Sequence, residues 1–118
     1  MFPLSPATRI YLAAGATDLR QSFEGLSDRV TQGFKADPLS GHLFLFVNRR
    51  KNRLKVLYCD GTGVWVCAKR LGQGTFAWPQ TSAPGALQIL AAELTLLLNG
   101  IDLDRTQTRP WWRPALSG

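Results

Sequence analysis

The sequence predicts a single α+β domain: an antiparallel β-meander of about five strands, with one main helix packed on one face and a short C-terminal helix at an edge. Three observations support this prediction. Apolar runs broken by turn residues fill 41–79, a helical apolar period occupies 18–32, and a second, shorter one ends at Asn99-Gly100. The 118 residues suit one core. We expect 1–104 to form the domain and 105–118 a polar, tryptophan-containing tail.

The main helix is predicted by apolar residues that recur every three or four positions and therefore share one face. Asp18 with Gln21 resembles a capping box, and Gly33 is a suitable C-terminal stop. Residues 9–13 form a short strand candidate before the helix. The apolar helical face consists of Leu19, Phe23, Leu26, Val30 and Phe34.

The meander is predicted from short apolar runs separated by turn residues. The run 42–47 is apolar at nearly every position, which places it in the sheet centre. Residues 86–90 are a further strand candidate, and the C-terminal helix that follows has Ala91-Ala92 where a capping residue is expected. The predicted strands of the meander are 42–47, 53–59, 64–70 and 75–78.

The two cysteines are expected to be reduced and structural. Pairing 53–59 with 64–70 across the turn 60–63 places Cys59 opposite Val64 and Cys67 opposite Val56. Side chains alternate along a strand, so the two thiols face opposite sides of the sheet and cannot form a disulfide in this register. The chain has one histidine, His42. We read it as a strand-start residue and expect no metal site and no cofactor.

The basic residues of the chain are concentrated in the meander. Residues 41–79 hold seven bases against the single acid Asp60, a local charge of +6, and the whole chain also sums to +6. In the predicted register Arg53 lies opposite Arg70 and Lys55 shares their face, whereas Lys69 points the other way. The turn at 48–52 adds three more bases at the same end of the sheet. The seven bases are Arg49, Arg50, Lys51, Arg53, Lys55, Lys69 and Arg70.

Two interpretations of this cluster remain open. Like charges on facing strands destabilise a bare sheet, so an anionic partner would relieve them, and a basic β-ribbon suits a phosphate backbone. The alternative is a solvated hairpin whose lysines discourage edge pairing. If the cluster contacts about five phosphates, log affinity falls against log salt with a slope of about −4.5. Nothing in the cluster indicates recognition of bases.

Five segments of the chain resemble one family. They are TDLRQSFEGL at 17–26, PLSGHLFLF at 38–46, LKVLYCDGTG at 54–63, KRLGQGTFAWP at 69–79 and LLLNGID at 96–102. They resemble the small accessory protein (second open reading frame, TnpB-type) of the IS-sixty-six family of bacterial insertion sequences. The chain departs from that pattern at Cys59, Gly72 and Ala91-Ala92.

The resemblance implies an accessory role in transposition beside a separate transposase that carries the catalytic acids, and it supplies no active site. We therefore expect a non-catalytic protein that binds DNA, either insertion-sequence ends or nonspecifically. The alternative is an adaptor that contacts the transposase or another element-encoded protein without nucleic acid.

The acids give no sign of an enzyme. Asp60 lies in a turn, Asp18 is explained as a helix cap, Asp37 precedes a proline, and Asp102 and Asp104 lie near the C-terminus. No apolar run approaches the ~20 residues that span a bilayer. We expect a cytoplasmic protein.

The tryptophans are assigned to different roles. Trp65 shares a predicted face with Tyr58 and Cys67, which places it in the core. Trp111 and Trp112 lie between two arginines, and three roles are open for them: stacking on bases, docking on a partner, or folding back over the domain.

Overall fold

The computed structural model describes residues 4–79, 85–100 and 113–114. No helix among these residues is long and apolar enough to cross a membrane. The predicted boundary at residue 104 lies outside them. The elements in chain order are β1 (Ile10–Ala13), α1 (Phe23–Gly33), β2 (Leu43–Val47), β3 (Arg53–Cys59), β4 (Val64–Arg70), β5 (Ala86–Ile89), α2 (Ala91–Leu98) and β6 (Arg113–Pro114).

The α+β class is confirmed, but the sheet is mixed, and the described residues contribute six strands in the order β4-β3-β2-β1-β5-β6. Strands β2, β3 and β4 form the predicted antiparallel meander. Strand β1 pairs with β2 in parallel, Tyr11 facing Phe44. The purely antiparallel prediction was wrong because α1 lies between these two strands, and a helical crossover returns the chain in the same direction.

The two faces of the sheet carry separate apolar clusters. On one face, Leu26 and Val30 of α1 pack with Phe44, Phe46 and Leu57. This confirms that the main helix covers one face. Strand β2 is buried at all five positions, as its apolar run predicted.

The opposite face is covered by α2, so the expected position of this helix at an edge was wrong. Leu94, Leu97 and Leu98 belong to one buried cluster with residues of four strands. The start of α2 is set by Glu93, whose Oε1 accepts the backbone N–H of Leu90 at 2.6 Å. This carboxylate cap replaces the missing Ser or Thr.

Helix α1 begins at Phe23, five residues later than predicted. Asp18 does not cap it: its Oδ1 accepts the backbone N–H of Arg20 at 3.0 Å and closes a local turn. Gln21 occupies the space where a Cβ on Gly25 would lie, 2.8 Å from the Gln21 Oε1 atom. The missing side chain at Gly25 therefore accommodates Gln21 against the helix.

The predicted strand at 75–78 is absent. This stretch crosses the α2 face, and Phe76 and Trp78 are buried there. Trp78 Nε1 donates to the Ala13 carbonyl at 2.9 Å. Its apolar residues fill the core, but its backbone forms no ladder with a neighbouring strand.

The β3–β4 hairpin has the predicted register, with Cys59 opposite Val64 and Cys67 opposite Val56. Both cysteines are free. Trp65 is 57% exposed, so its assignment to the core was wrong. It lies on the outermost strand near the turn.

Candidate nucleic-acid interface

The β2–β3 turn is closed by hydrogen bonds of the Asn48 side chain. Its Oδ1 accepts the backbone N–H groups of Asn52 and Arg53, both at 3.1 Å, and its Nδ2 donates to Asn52 Oδ1 at 2.8 Å. These bonds fix the ends of the turn from inside. Arg49 and Arg50, both exposed, are thereby presented on an ordered backbone.

The turn is also anchored to the core-facing segments beside it. The Lys51 N–H closes the turn onto the Asn48 carbonyl at 3.1 Å, and its own carbonyl accepts the Phe76 N–H at 2.6 Å. Lys51 adopts φ 59°, in the left-handed region that disfavours residues with a Cβ. The strain is held in place by these two bonds.

A groove of about 840 Å³ runs between two parts of the chain. One is the end of the β2–β3–β4 meander that carries the β2–β3 turn, and the other is the loop that precedes α1. Six of the seven predicted binding residues line the groove, and Lys51 does not. The loop contributes a further base, Arg20. The residues that line the groove are Ala16, Thr17, Asp18, Leu19, Arg20, Asn48, Arg49, Arg50, Arg53, Leu54, Lys55, Ala68, Lys69 and Arg70.

Arg20 was missed because 18–32 was predicted as one helix, which hid the loop. Its guanidinium forms an ion pair with Asp18, with Nη2 of Arg20 2.8 Å from Oδ2 of Asp18. The hydrogen bonds from Arg20 lower the pKa of Asp18 to about 2. Asp18 therefore offsets the charge of Arg20, and the uncompensated charge of the groove comes from the hairpin.

Two of the seven predicted bases are tethered within the chain. Lys55 Nζ donates to the Gln21 carbonyl at 3.2 Å, and Lys69 Nζ donates to the Leu98 carbonyl at 2.7 Å. Lys69 thus lies at the C-terminal end of α2, where a cation complements the helix dipole. Lys55 therefore links β3 to the loop before α1, and Lys69 links β4 to the end of α2.

The other five predicted bases have no side-chain hydrogen bond or ion pair to any other residue described in the structure. Arg53 lies directly opposite Arg70, as predicted, and both side chains are exposed. The free bases lie in the β2–β3 turn, at the start of β3 and at the end of β4. They are Arg49, Arg50, Lys51, Arg53 and Arg70. We call these five residues the basic tip.

The Asp60 carboxylate is hydrogen-bonded within the β3–β4 turn, as the sequence predicted. Its Oδ1 accepts the N–H groups of Thr62 and Gly63 and the Thr62 hydroxyl, and its Oδ2 accepts Trp65 Nε1 at 2.8 Å. These donors lower the pKa of Asp60 well below its ordinary value.

The remaining candidate residues lie away from the groove. His42 directly precedes β2, as expected, and its Nδ1 accepts the Arg9 N–H at 2.9 Å. Burial, with Arg9 nearby, lowers the pKa of His42. Among the described residues no three His, Cys, Asp or Glu side chains group as metal ligands. Trp111, Trp112, Asp102 and Asp104 lie outside that part of the chain.

Comparison with known proteins supports the family resemblance. The family described as "IS66 Orf2 like protein" matches residues 8–108. "Uncharacterized protein y4hO" of Sinorhizobium fredii is 41% identical over the full length of both chains. "Uncharacterized protein y4jC" of the same organism is 36% identical over 93% of each. No solved structure matches the chain. The chain belongs to the IS66 Orf2-like family of insertion-sequence proteins.

Proposed function

We propose that this protein is a non-catalytic accessory factor of transposition that binds the phosphate backbone of double-stranded DNA along the basic groove. The family supports a role in an insertion sequence. The observation that carries the DNA proposal is the basic tip, five bases without an acidic partner among the described residues, four of which line the groove. Phosphates are the anions that a cluster of unpaired bases along a groove suits.

The arrangement of Arg53 and Arg70 favours an anionic partner. Two like charges face each other across the β3–β4 ladder, and this costs stability in the free protein. A phosphate oxygen can accept from both guanidinium groups, and Arg donors suit it geometrically. Binding therefore relieves a repulsion that the fold maintains.

The lining of the groove favours duplex over single-stranded nucleic acid. Surfaces that bind single strands combine basic residues with aromatic rings on which bases stack. The described lining of this groove contains Ala, Leu, Thr, Asn, Asp, Lys and Arg and no aromatic residue. Contacts of this kind go to phosphates and carry no base recognition. We expect binding with little sequence preference from this surface.

The test is a comparison of two triple charge reversals with the same net charge. Changing Arg49, Arg50 and Lys51 to Glu removes most of the basic tip and is expected to abolish binding to a short duplex. The control changes Arg9, Arg29 and Lys35 to Glu, which are exposed and lie outside the groove. Equal loss of affinity in both variants would show that net charge alone governs binding, against the proposal.

The competing function is an adaptor that contacts the transposase or another element-encoded protein. A duplex-binding measurement on the isolated parent protein decides between the two functions. An adaptor without a nucleic-acid surface shows no salt-dependent binding to the duplex. Absence of nicking or strand transfer with Mg²⁺ or Mn²⁺ is the expected result for a non-catalytic factor. The proposed location is the cytoplasm, where the element and its transposase meet.

A further inference from the structure

Strand β4 forms one edge of the sheet and has an open side in the described part of the chain. It is seven residues long and contains no proline. Its first half is apolar, and Trp65 there is more than half exposed. A long apolar edge strand is a template for pairing with another chain.

The outward backbone groups of β4 follow from the ladder with β3. Bonds beyond both ends of the hairpin, Asp60 N–H to Gly63 O and Leu71 N–H to Asn52 O, fix which residues are bonded inward. Bonded pairs alternate along an antiparallel ladder, so the odd-numbered residues of β4 bond to β3. The even-numbered residues direct their N–H and C=O groups away from the sheet. They are Val64, Val66, Ala68 and Arg70.

We propose that this edge pairs with the β4 strand of a second copy of the chain, antiparallel and centred on Cys67. In this register Val64 of one copy faces Arg70 of the other, and Val66 faces Ala68. Every outward N–H then meets an outward C=O. The proposal is independent of DNA binding, and it commits to a symmetric dimer with one continuous sheet.

The charges of β4 are compatible with this register. Lys69 and Arg70 face Trp65 and Val64 of the other copy, so no base faces a base across the new ladder. In this register Trp65 of one copy lies beside Lys69 of the other on the same face of the sheet, so the aliphatic stem of Lys69 covers part of the exposed ring. Lys69 does not block the edge, because its Nζ is held by the Leu98 carbonyl.

The pairing keeps the two grooves on one side of the assembly. Residues that face each other across an antiparallel ladder project to the same face, so the α1 faces of both copies coincide. Along the paired strands, the two basic tips lie at opposite ends. Both lie at the same face of the continuous sheet, the face covered by α1.

The register predicts one specific covalent link. Cys67 of one copy faces Cys67 of the other at a non-hydrogen-bonded position, where the Cα atoms lie about 4.5 Å apart. This separation is within the range of a disulfide. Mild oxidation, which removes one hydrogen from each thiol and passes both electrons to added oxidised glutathione, is expected to link the two copies. Cys59→Ser retains the link and Cys67→Ser loses it.

The experiment combines sedimentation of the full chain with this cross-link. We expect a dimer for the parent and a monomer for Ala68→Pro, which deletes an outward N–H and spares the bonds to β3. Ala68→Ser, with an intact backbone, is expected to stay dimeric. A monomeric parent overturns the proposal. A dimer in which oxidation forms no Cys67–Cys67 disulfide also overturns the proposal, because that result indicates another interface. This second test does not depend on whether the Ala68→Pro variant folds.

Discussion

Arg53 and Arg70 lie directly opposite each other in the β3–β4 ladder, and neither side chain has an acidic partner in the described structure. Replacing Arg70 with Gln is expected to raise the free energy of unfolding by about 0.2–1 kcal/mol, since one of two facing like charges is removed. The same change is expected to weaken duplex binding. Urea unfolding and a DNA titration measure the two effects.

The matched control for that variant is Arg9→Gln, an exposed arginine outside the groove. It is expected to leave DNA affinity close to that of the parent protein. If Arg70→Gln lowers stability and leaves affinity unchanged, Arg70 has a structural role and does not contact DNA.

Lys69 is expected to contribute to stability more than to binding. Lys69→Met removes the donor to the Leu98 carbonyl. The expected cost is about 1 kcal/mol, low for a charged donor because Lys69 is an exposed residue. Arg49→Gln, which breaks no bond, is expected to leave the unfolding midpoint unchanged and to weaken DNA binding more. The reverse ranking of the two variants in DNA affinity would contradict the division of the seven bases into tethered and free.

Lys51 has φ 59°, so glycine is expected to suit this position better. Lys51→Gly is expected to be more stable than Lys51→Ala by about 1 kcal/mol, because alanine keeps the Cβ that clashes in the left-handed region. Both variants lose the same charge, so their difference in chemical denaturation isolates the backbone. Equal stabilities would show that the turn relaxes when the side chain changes.

The lowered pKa of His42 predicts that the protein loses stability in mild acid. The pKa of His42 is lowered in the folded chain from the ordinary 6.5, because burial disfavours the charged ring. The unfolded chain then binds more protons in this range, so stability is full above about pH 6.5 and falls as the pH drops below it. The pKa of Asp18, about 2, and that of Asp60 are lowered too, and their contribution is lost only in stronger acid. Thermal melting of parent and His42→Asn from about pH 7.5 to 5 tests this, and parallel curves would refute it.

The hairpin was predictable because its register depends on local information. Asp60 and Gly61 specify the turn, and alternation along each strand then fixes which residues face each other. The pairing of Arg53 with Arg70 followed from these two facts alone. The parallel contact of β1 with β2 depends on a crossover through α1, and strand periodicity does not report the direction of a distant partner.

The groove was predictable in part. Six of its bases were identified by charge, but Arg20 was hidden because Asp18 was read as a helix cap when it closes a separate turn. The tethering of Lys55 and Lys69 could not be inferred, since their acceptors are backbone carbonyls of Gln21 and Leu98 far away in sequence. Trp65 was assigned to the core because it shares a face with Tyr58 and Cys67, but those two residues are only half-buried and Trp65 itself is exposed.

The salt dependence of duplex binding tests the central claim most directly. The basic tip holds five bases, which predicts a slope of log affinity against log salt of about −4.5. Changing Arg49 and Arg50 to Gln leaves three, and the slope is expected to fall to about −2.7. A parent protein whose affinity is flat with salt, or a variant with an unchanged slope, would contradict the account.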